Sequence, residues 1–269
     1  MPSRCDGSPE AWRGCPSNRR ILSAELISEA LVGTRGTPAY ATPIPSPRMA
    51  WKRPDKRRVR AIRDRLREMY GQPVNKPHGH PIAELVKTVL SQHTNDRNRD
   101  RAFAALRERF PTWEEVRDAP VDQVEEAIRP GGLGKQKAPR IQAILEQLGE
   151  PPDLDWTRDA PPEESMSFLD SLPGVGRKTA ACVLMFTWDI PEIPVDVHVY
   201  RVGGRLGLFP EKASFERAHD EMLAVTDPAD AYELHMNLIR HGREVCRPKP
   251  RCGECELRRM CPWYRAGRK

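Results

Sequence analysis

The sequence predicts an all-α protein. Past residue 50, apolar residues recur at three- and four-residue steps along most of the chain. No stretch alternates apolar and polar residues with period two, and no Asn-Gly pair marks a hairpin between strands. With 269 residues, 38% hydrophobic and 30% charged, the chain is large enough for one or two substantial cores.

Residues 1–48 read as a disordered tail that mixes Pro, Ser, Gly and Arg and ends in Thr42-Pro43-Ile44-Pro45-Ser46-Pro47. Within it, Ile21 to Val32 is apolar enough for a turn or two of helix. Met49, just before the first convincing helix, is a candidate natural start. Val59, Ile62, Leu66 and Met69 form the first apolar stripe, and Ile82, Leu85, Val86, Val89 and Leu90 the second. Thr112 and Glu115 have capping-box spacing. Val121, Val124 and Ile128 form a third stripe; Ile141, Ile144, Leu145 and Leu148 form a fourth. Pro151-Pro152 to Pro161-Pro162, with Trp156 inside, reads as a linker. Phe168, Leu169 and Leu172 then belong to one helix, and Ala181, Val183 and Leu184 to the next.

Between those two helices lies Leu172-Pro173-Gly174-Val175-Gly176-Arg177-Lys178. Two glycines around one valine permit a tight turn, whose N–H groups would point outward with the N-terminus of the next helix. That geometry suits a phosphate, so Gly174, Val175, Gly176 and Arg177 are candidate DNA contacts. A nucleotide P-loop is excluded, because Arg177 separates Gly176 from Lys178 and no hydroxyl residue follows Gly134-Lys135. The net charge of +6 also favours a polyanionic partner. Asp196, in Val195-Asp196-Val197-His198, follows Lys178 by one helix and a turn, so an amine and a carboxylate can face one cavity. Taken alone, Asp196 reads as a helix N-cap, Cys182 as core, and His198 as a buried, hydrogen-bonded histidine.

Cys246, Cys252, Cys255 and Cys261 fall within a short C-terminal stretch. No apolar run is long enough to span a bilayer or to form a signal peptide, so a reducing compartment is expected. There, a tight cysteine group reads as a metal site. The ligand type admits zinc or iron–sulfur. Only Cys252 and Cys255 have the knuckle spacing that zinc ribbons use twice.

The hairpin, Lys178, the Val-Asp-Val-His run and the cysteines occur in the order found in the endonuclease III branch of the helix–hairpin–helix glycosylases, which the chain resembles from about residue 74 to 261. The resemblance implies Lys178 as nucleophile, Asp196 as the essential carboxylate, and a [4Fe–4S] cluster on the four cysteines. It implies two helical lobes. Residues 74–190 would form a six-helix barrel with the hairpin, and 49–73 with 191–269 an iron–sulfur lobe.

The expected activity is bifunctional: a DNA N-glycosylase for oxidised pyrimidines and an abasic-site lyase acting through a Lys178 Schiff base. Placement at a helix N-terminus beside Arg177 favours a lowered Lys178 pKa, while an ionised Asp196 opposes it, and the balance stays open. Gln92 or His93 would plug the gap left by the extruded base, with Leu133 as second wedge; read alone, the first two are polar caps at a helix end. The family usually has Gln where His93 stands, an aromatic residue where Gly134 stands, and one more residue between the first two cysteines. Arg247, Lys249 and Arg251 would present a basic loop to phosphates. The expected partner is double-stranded DNA holding a damaged base or abasic site. The expected state is a monomer without membrane association, cytoplasmic and nucleoid-associated, or in the nucleus or mitochondrion of a eukaryote. A monofunctional glycosylase, a non-catalytic DNA-binding or redox-sensing protein, and a zinc module are the alternatives.

Overall fold

The computed structural model describes residues 51–268, which lie within one compact unit, Met49–Lys269. The readings placed on residues 1–50, including Ile21–Val32 and Met49, lie outside the described residues. Among those described there are twelve α-helices and no strand. In order they are α1 Lys56–Tyr70, α2 Pro81–Ser91, α3 Asp96–Arg109, α4 Trp113–Asp118, α5 Val121–Ile128, α6 Gly134–Gln147, α7 Pro162–Ser171, α8 Arg177–Trp188, α9 Val197–Leu206, α10 Phe215–Val225, α11 Ala231–Glu244 and α12 Pro262–Arg265.

Local chemistry sets the helix starts. Asp55, Asn95, Thr112, Asp196 and Ser214 each accept a backbone N–H of their helix's first turn. The Thr112–Glu115 capping box forms as the spacing predicts. The apolar stripes then decide which face is buried. Leu85, Val89, Ile128, Ile141, Leu145 and Leu184 belong to one apolar cluster built from α2 to α8. Ile62, Leu66, Val202, Phe209, Leu234 and Leu238 belong to a second, built from α1 and the chain after α8. Leu184 packs in the first cluster and Met185 in the second, so α8 serves both. The N-terminal helix is tied to the C-terminal half by charge as well, since Arg67 donates to both carboxylate oxygens of the buried Glu233, with Nε at 2.8 Å from Oε1.

The stretch from Pro151 to Pro162 is packed, which corrects its reading as a linker. Leu154 and Thr157 are fully buried, and Trp156 meets Phe168 edge-on at 5.1 Å. Thr157 Oγ1 accepts from Trp188 Nε1 at 3.0 Å, docking this segment on α8.

Candidate active site

The hairpin joins α7 to α8. Gly174 holds φ +67°, a left-handed conformation that favours glycine, and a Cβ there would stand 2.4 Å from Arg140 Nε. Val175 is buried, and its N–H donates to Leu172 O at 3.1 Å. It shapes the turn from inside and offers no donor outward, which corrects its place among the phosphate contacts. Thr179 N and Ala180 N donate to Gly176 O at 2.7 and 3.1 Å, so the N–H groups of Arg177 and Lys178 are the donors left at the start of α8. Arg177 also departs from expectation. Its guanidinium pairs with Asp220 at 2.7 Å and donates to Glu216 O at 3.2 Å, both on α10. It is turned away from Lys178 and does not lower that residue's pKa.

Lys178 stands in the first turn of α8, one turn before the buried Cys182. Its amine is under opposed influences: Cys182 first, then Asp196 and Glu84, raise its pKa, and burial lowers it. Cys182 attracts a cation only as a thiolate. Complete burial pushes its thiol up, so at neutral pH the thiol is protonated and the pull on Lys178 comes from the two carboxylates.

Asp196 caps α9: its Oδ1 accepts from His198 N at 2.8 Å and Val199 N at 2.7 Å, and neither bond engages Oδ2. Two buried histidines brace the approach to it. His235 Nδ1 donates to Pro194 O at 2.9 Å, and His219 Nε2 accepts from Val195 N at 3.3 Å. Burial lowers both to about 4, so both are neutral at neutral pH. His198 is half-buried, not buried, and hydrogen-bonded to Arg201 Nη2 at 3.0 Å. The amine of Lys178 and the carboxylate of Asp196 therefore share one electrostatic neighbourhood, joined by Glu84 on α2. Sequence reasoning passed over Glu84, although a lone acid in the apolar run Pro81–Leu90 is the signal that could have found it.

The three lesion-reading candidates lie on two loops. Gln92 and His93 follow α2, and Leu133 precedes α6; Leu133 is 46% exposed and His93 is exposed. His93 (φ 56°) and Leu133 (φ 54°) both hold left-handed backbone, which side chains larger than glycine adopt at a cost.

Cys246, Cys252, Cys255 and Cys261 line one pocket, together with Val202, Leu206 and Trp263. None is in a disulfide. Burial pushes the Cys255 thiol up to about 11 and raises Cys261 as well. Four free thiols around one cavity suit a metal centre that takes them as thiolates. Among the described residues no three His, Cys, Asp or Glu converge closely enough to share one ion. A cubane cluster gives each thiolate its own iron, and the donor set, shared around one apolar cavity, fits it. Arg205, which sequence reasoning did not pick out, organises the first loop: it donates to Cys246 Sγ at 3.3 Å, Arg247 O at 2.7 Å and Pro248 O at 3.0 Å. The basic loop is uneven. Arg251 pairs with Glu254 at 3.1 Å and Arg247 Nε donates to Arg243 O at 2.9 Å, whereas Lys249 is exposed.

A family model described as "HhH-GPD superfamily base excision DNA repair protein" matches residues 86–226. An endonuclease III of Thermotoga maritima is 35% identical over 195 residues, covering 72% of this chain and 88% of that protein. A putative DNA glycosylase of Arabidopsis thaliana is 36% identical over 165 residues, and that match spans 60% of this chain and 56% of the relative's length. Among solved structures, a trapped covalent intermediate of endonuclease III with DNA superposes with a TM-score of 0.69 at 27% identity, covering 80% of this chain and 99% of the other.

Proposed function

Because the chain belongs to the HhH-GPD superfamily of base excision DNA repair proteins, in its endonuclease III family, we propose that it excises oxidised pyrimidines from duplex DNA and nicks the strand through a Schiff base on Lys178. Glycosylase and abasic-site lyase activity come with the family. The observation that carries the finer reading is that Asp196, at the cap of α9, raises the pKa of Lys178 in the first turn of α8, so the carboxylate and the amine act within one neighbourhood.

As the bond between the base and C1′ breaks, positive charge builds on the sugar ring. The Asp196 carboxylate stabilises that charge. Lys178 supplies its lone pair to C1′ once its ammonium proton has left, with Asp196 and Glu84 as the nearby acceptors. Opening of the ring gives the iminium; loss of a C2′ proton then breaks the C3′–O bond and leaves a nick 3′ to the lesion. The base has to leave the stack first; Gln92 or His93 fills the gap, with Leu133 as the second wedge. The N–H groups at the start of α8, with Lys249 and its neighbours, take phosphates. Cys246, Cys252, Cys255 and Cys261 would hold a [4Fe–4S] cluster, which would cross-link four points of the C-terminal loop and so support that basic surface. We assign the two apolar clusters to a barrel lobe and a cluster lobe, and the protein acts as a monomer.

The solved relative trapped covalently on DNA supports this chemistry. The test is excision from duplexes carrying one oxidised pyrimidine. Release of the base with a nick is expected, and an undamaged duplex stays intact. Base release that leaves the strand whole would favour a monofunctional enzyme.

A further inference from the structure

α6 carries two cationic side chains whose heads are turned onto neighbouring loops. Lys137 is 2% exposed, and its Nζ donates to Leu90 O at 2.7 Å and Gly131 O at 2.9 Å. Leu90 lies two residues before Gln92 and three before His93; Gly131 lies two before Leu133. One ammonium thus holds the stems of both loops. Its hydrogen-bond partners are carbonyl oxygens. A buried ammonium is expensive to desolvate, and an apolar side chain would fill the same space without that penalty, so core packing alone does not account for Lys137.

Arg140 lies three residues on, on the same face of α6. Its Nη1 donates to Gln92 Oε1 at 2.8 Å, and Gln92 Nε2 approaches Gly174 O at 3.5 Å. The Arg140 stem occupies the space where a Cβ on Gly174 would stand. The hairpin is therefore drawn into the same assembly. The two residues held at positive φ on these loops, His93 and Leu133, are the tips exposed at its edge.

We infer that Lys137 and Arg140 are positioning residues for base extrusion: from one face of α6 they hold the Gln92–His93 loop, the Leu133 tip and the hairpin in fixed register with the Lys178 pocket. This rests on the reading of those loops as DNA-facing. Lys137 is buried, so it acts on the loops and not on DNA.

Extrusion and covalent chemistry can be read separately. Lys137→Met and Arg140→Met are compared with wild type in single-turnover excision from a damaged duplex, and in borohydride trapping on an abasic site in single-stranded DNA, which needs no extrusion. A 2-aminopurine beside a stable abasic analogue in a duplex reports opening of the stack on binding, without turnover. Loss of register predicts an excision rate lowered by about a hundredfold, a diminished 2-aminopurine signal, and trapping close to the wild-type rate. Arg140→Met, in a part-exposed position, keeps the test open should Lys137→Met not fold. Gln92→Leu combined with Arg140→Met should be no worse than the more damaging single change, because both remove one bond. Excision at the wild-type rate, excision and trapping falling together, or additive effects in the double variant would overturn the inference. Wild type that neither excises nor traps, yet opens the stack, would instead count against the reading of function.

Discussion

Replacing Asp196 separates two roles that share one side chain. The Oδ1 bonds to His198 N and Val199 N make it the cap of α9. Removing such a cap costs about 1 kcal/mol, or roughly 2–4 °C in Tm for a unit of this size. Asn ranks with Asp as a cap, so Asp196→Asn should keep most of that stability and Asp196→Ala should lose it. Chemistry responds differently on the proposed mechanism, because both variants remove the carboxylate assigned to stabilising the charged sugar. Losing one preorganised electrostatic partner lowers the chemical step by about 10²–10³, so single-turnover excision should fall by that factor in both. Asp196 also raises Lys178, against burial. Without it the Lys178 pKa falls, and the rise of borohydride trapping with pH should occur at lower pH in Asp196→Asn than in wild type. Scanning calorimetry, rapid-quench excision and a trapping pH profile read the three effects. The reasoning fails if Asn and Ala destabilise equally, if either variant excises at the wild-type rate, or if the trapping profile moves to higher pH.

Three further expectations follow from the rest of the molecule. Purified protein should be yellow-brown and contain iron and acid-labile sulfide in equal amounts, and Cys252→Ser should lose both; colourless, zinc-bearing protein would contradict the cluster. In DNA binding followed by fluorescence anisotropy against salt, Lys249→Ala should flatten the slope of log K against log salt by about 0.9. Arg251→Ala should do less, because its guanidinium is already paired with Glu254, and an unchanged slope for Lys249→Ala would remove that phosphate contact. His219 and His235 are lowered by burial to about 4, while the unfolded chain titrates near 6.5. The unfolded state therefore takes up protons first as pH falls. Stability should be full above about pH 6.5 and decline toward pH 4; urea midpoints that do not move between pH 7 and pH 5 would contradict this.

The sequence made the helices legible where apolar residues repeat strongly, as in α2, whose buried face is the stripe from Ile82 to Leu90. It left α3 unmarked, because eight of that helix's fourteen residues are charged and its buried contacts reduce to Ala102 and Leu106. The proline-rich stretch around Trp156 read as a linker because composition reports prolines and not the partners that bury Leu154 and Thr157. The active site was legible in part: a lysine after a Gly-x-Gly turn and an aspartate one helix later are local signals. Cys182 follows Lys178 by one turn of the same helix, whereas Glu84, His219 and His235 reach that site only through tertiary packing. So does the turning of Arg177 toward Asp220, which removes the cation expected beside Lys178. Sequence reasoning did not single out Lys137, and only the folded positions of Leu90 and Gly131 reveal that its ammonium is buried.

The central claim is a covalent bond between Lys178 and the sugar of a damaged nucleotide. Its most direct test is borohydride trapping on a duplex with one abasic site, comparing cluster-loaded wild type with Lys178→Gln. A covalent protein–DNA adduct from wild type, absent from the variant, is the predicted result. An adduct formed equally by both proteins, or none from folded wild type, would contradict the assignment of Lys178.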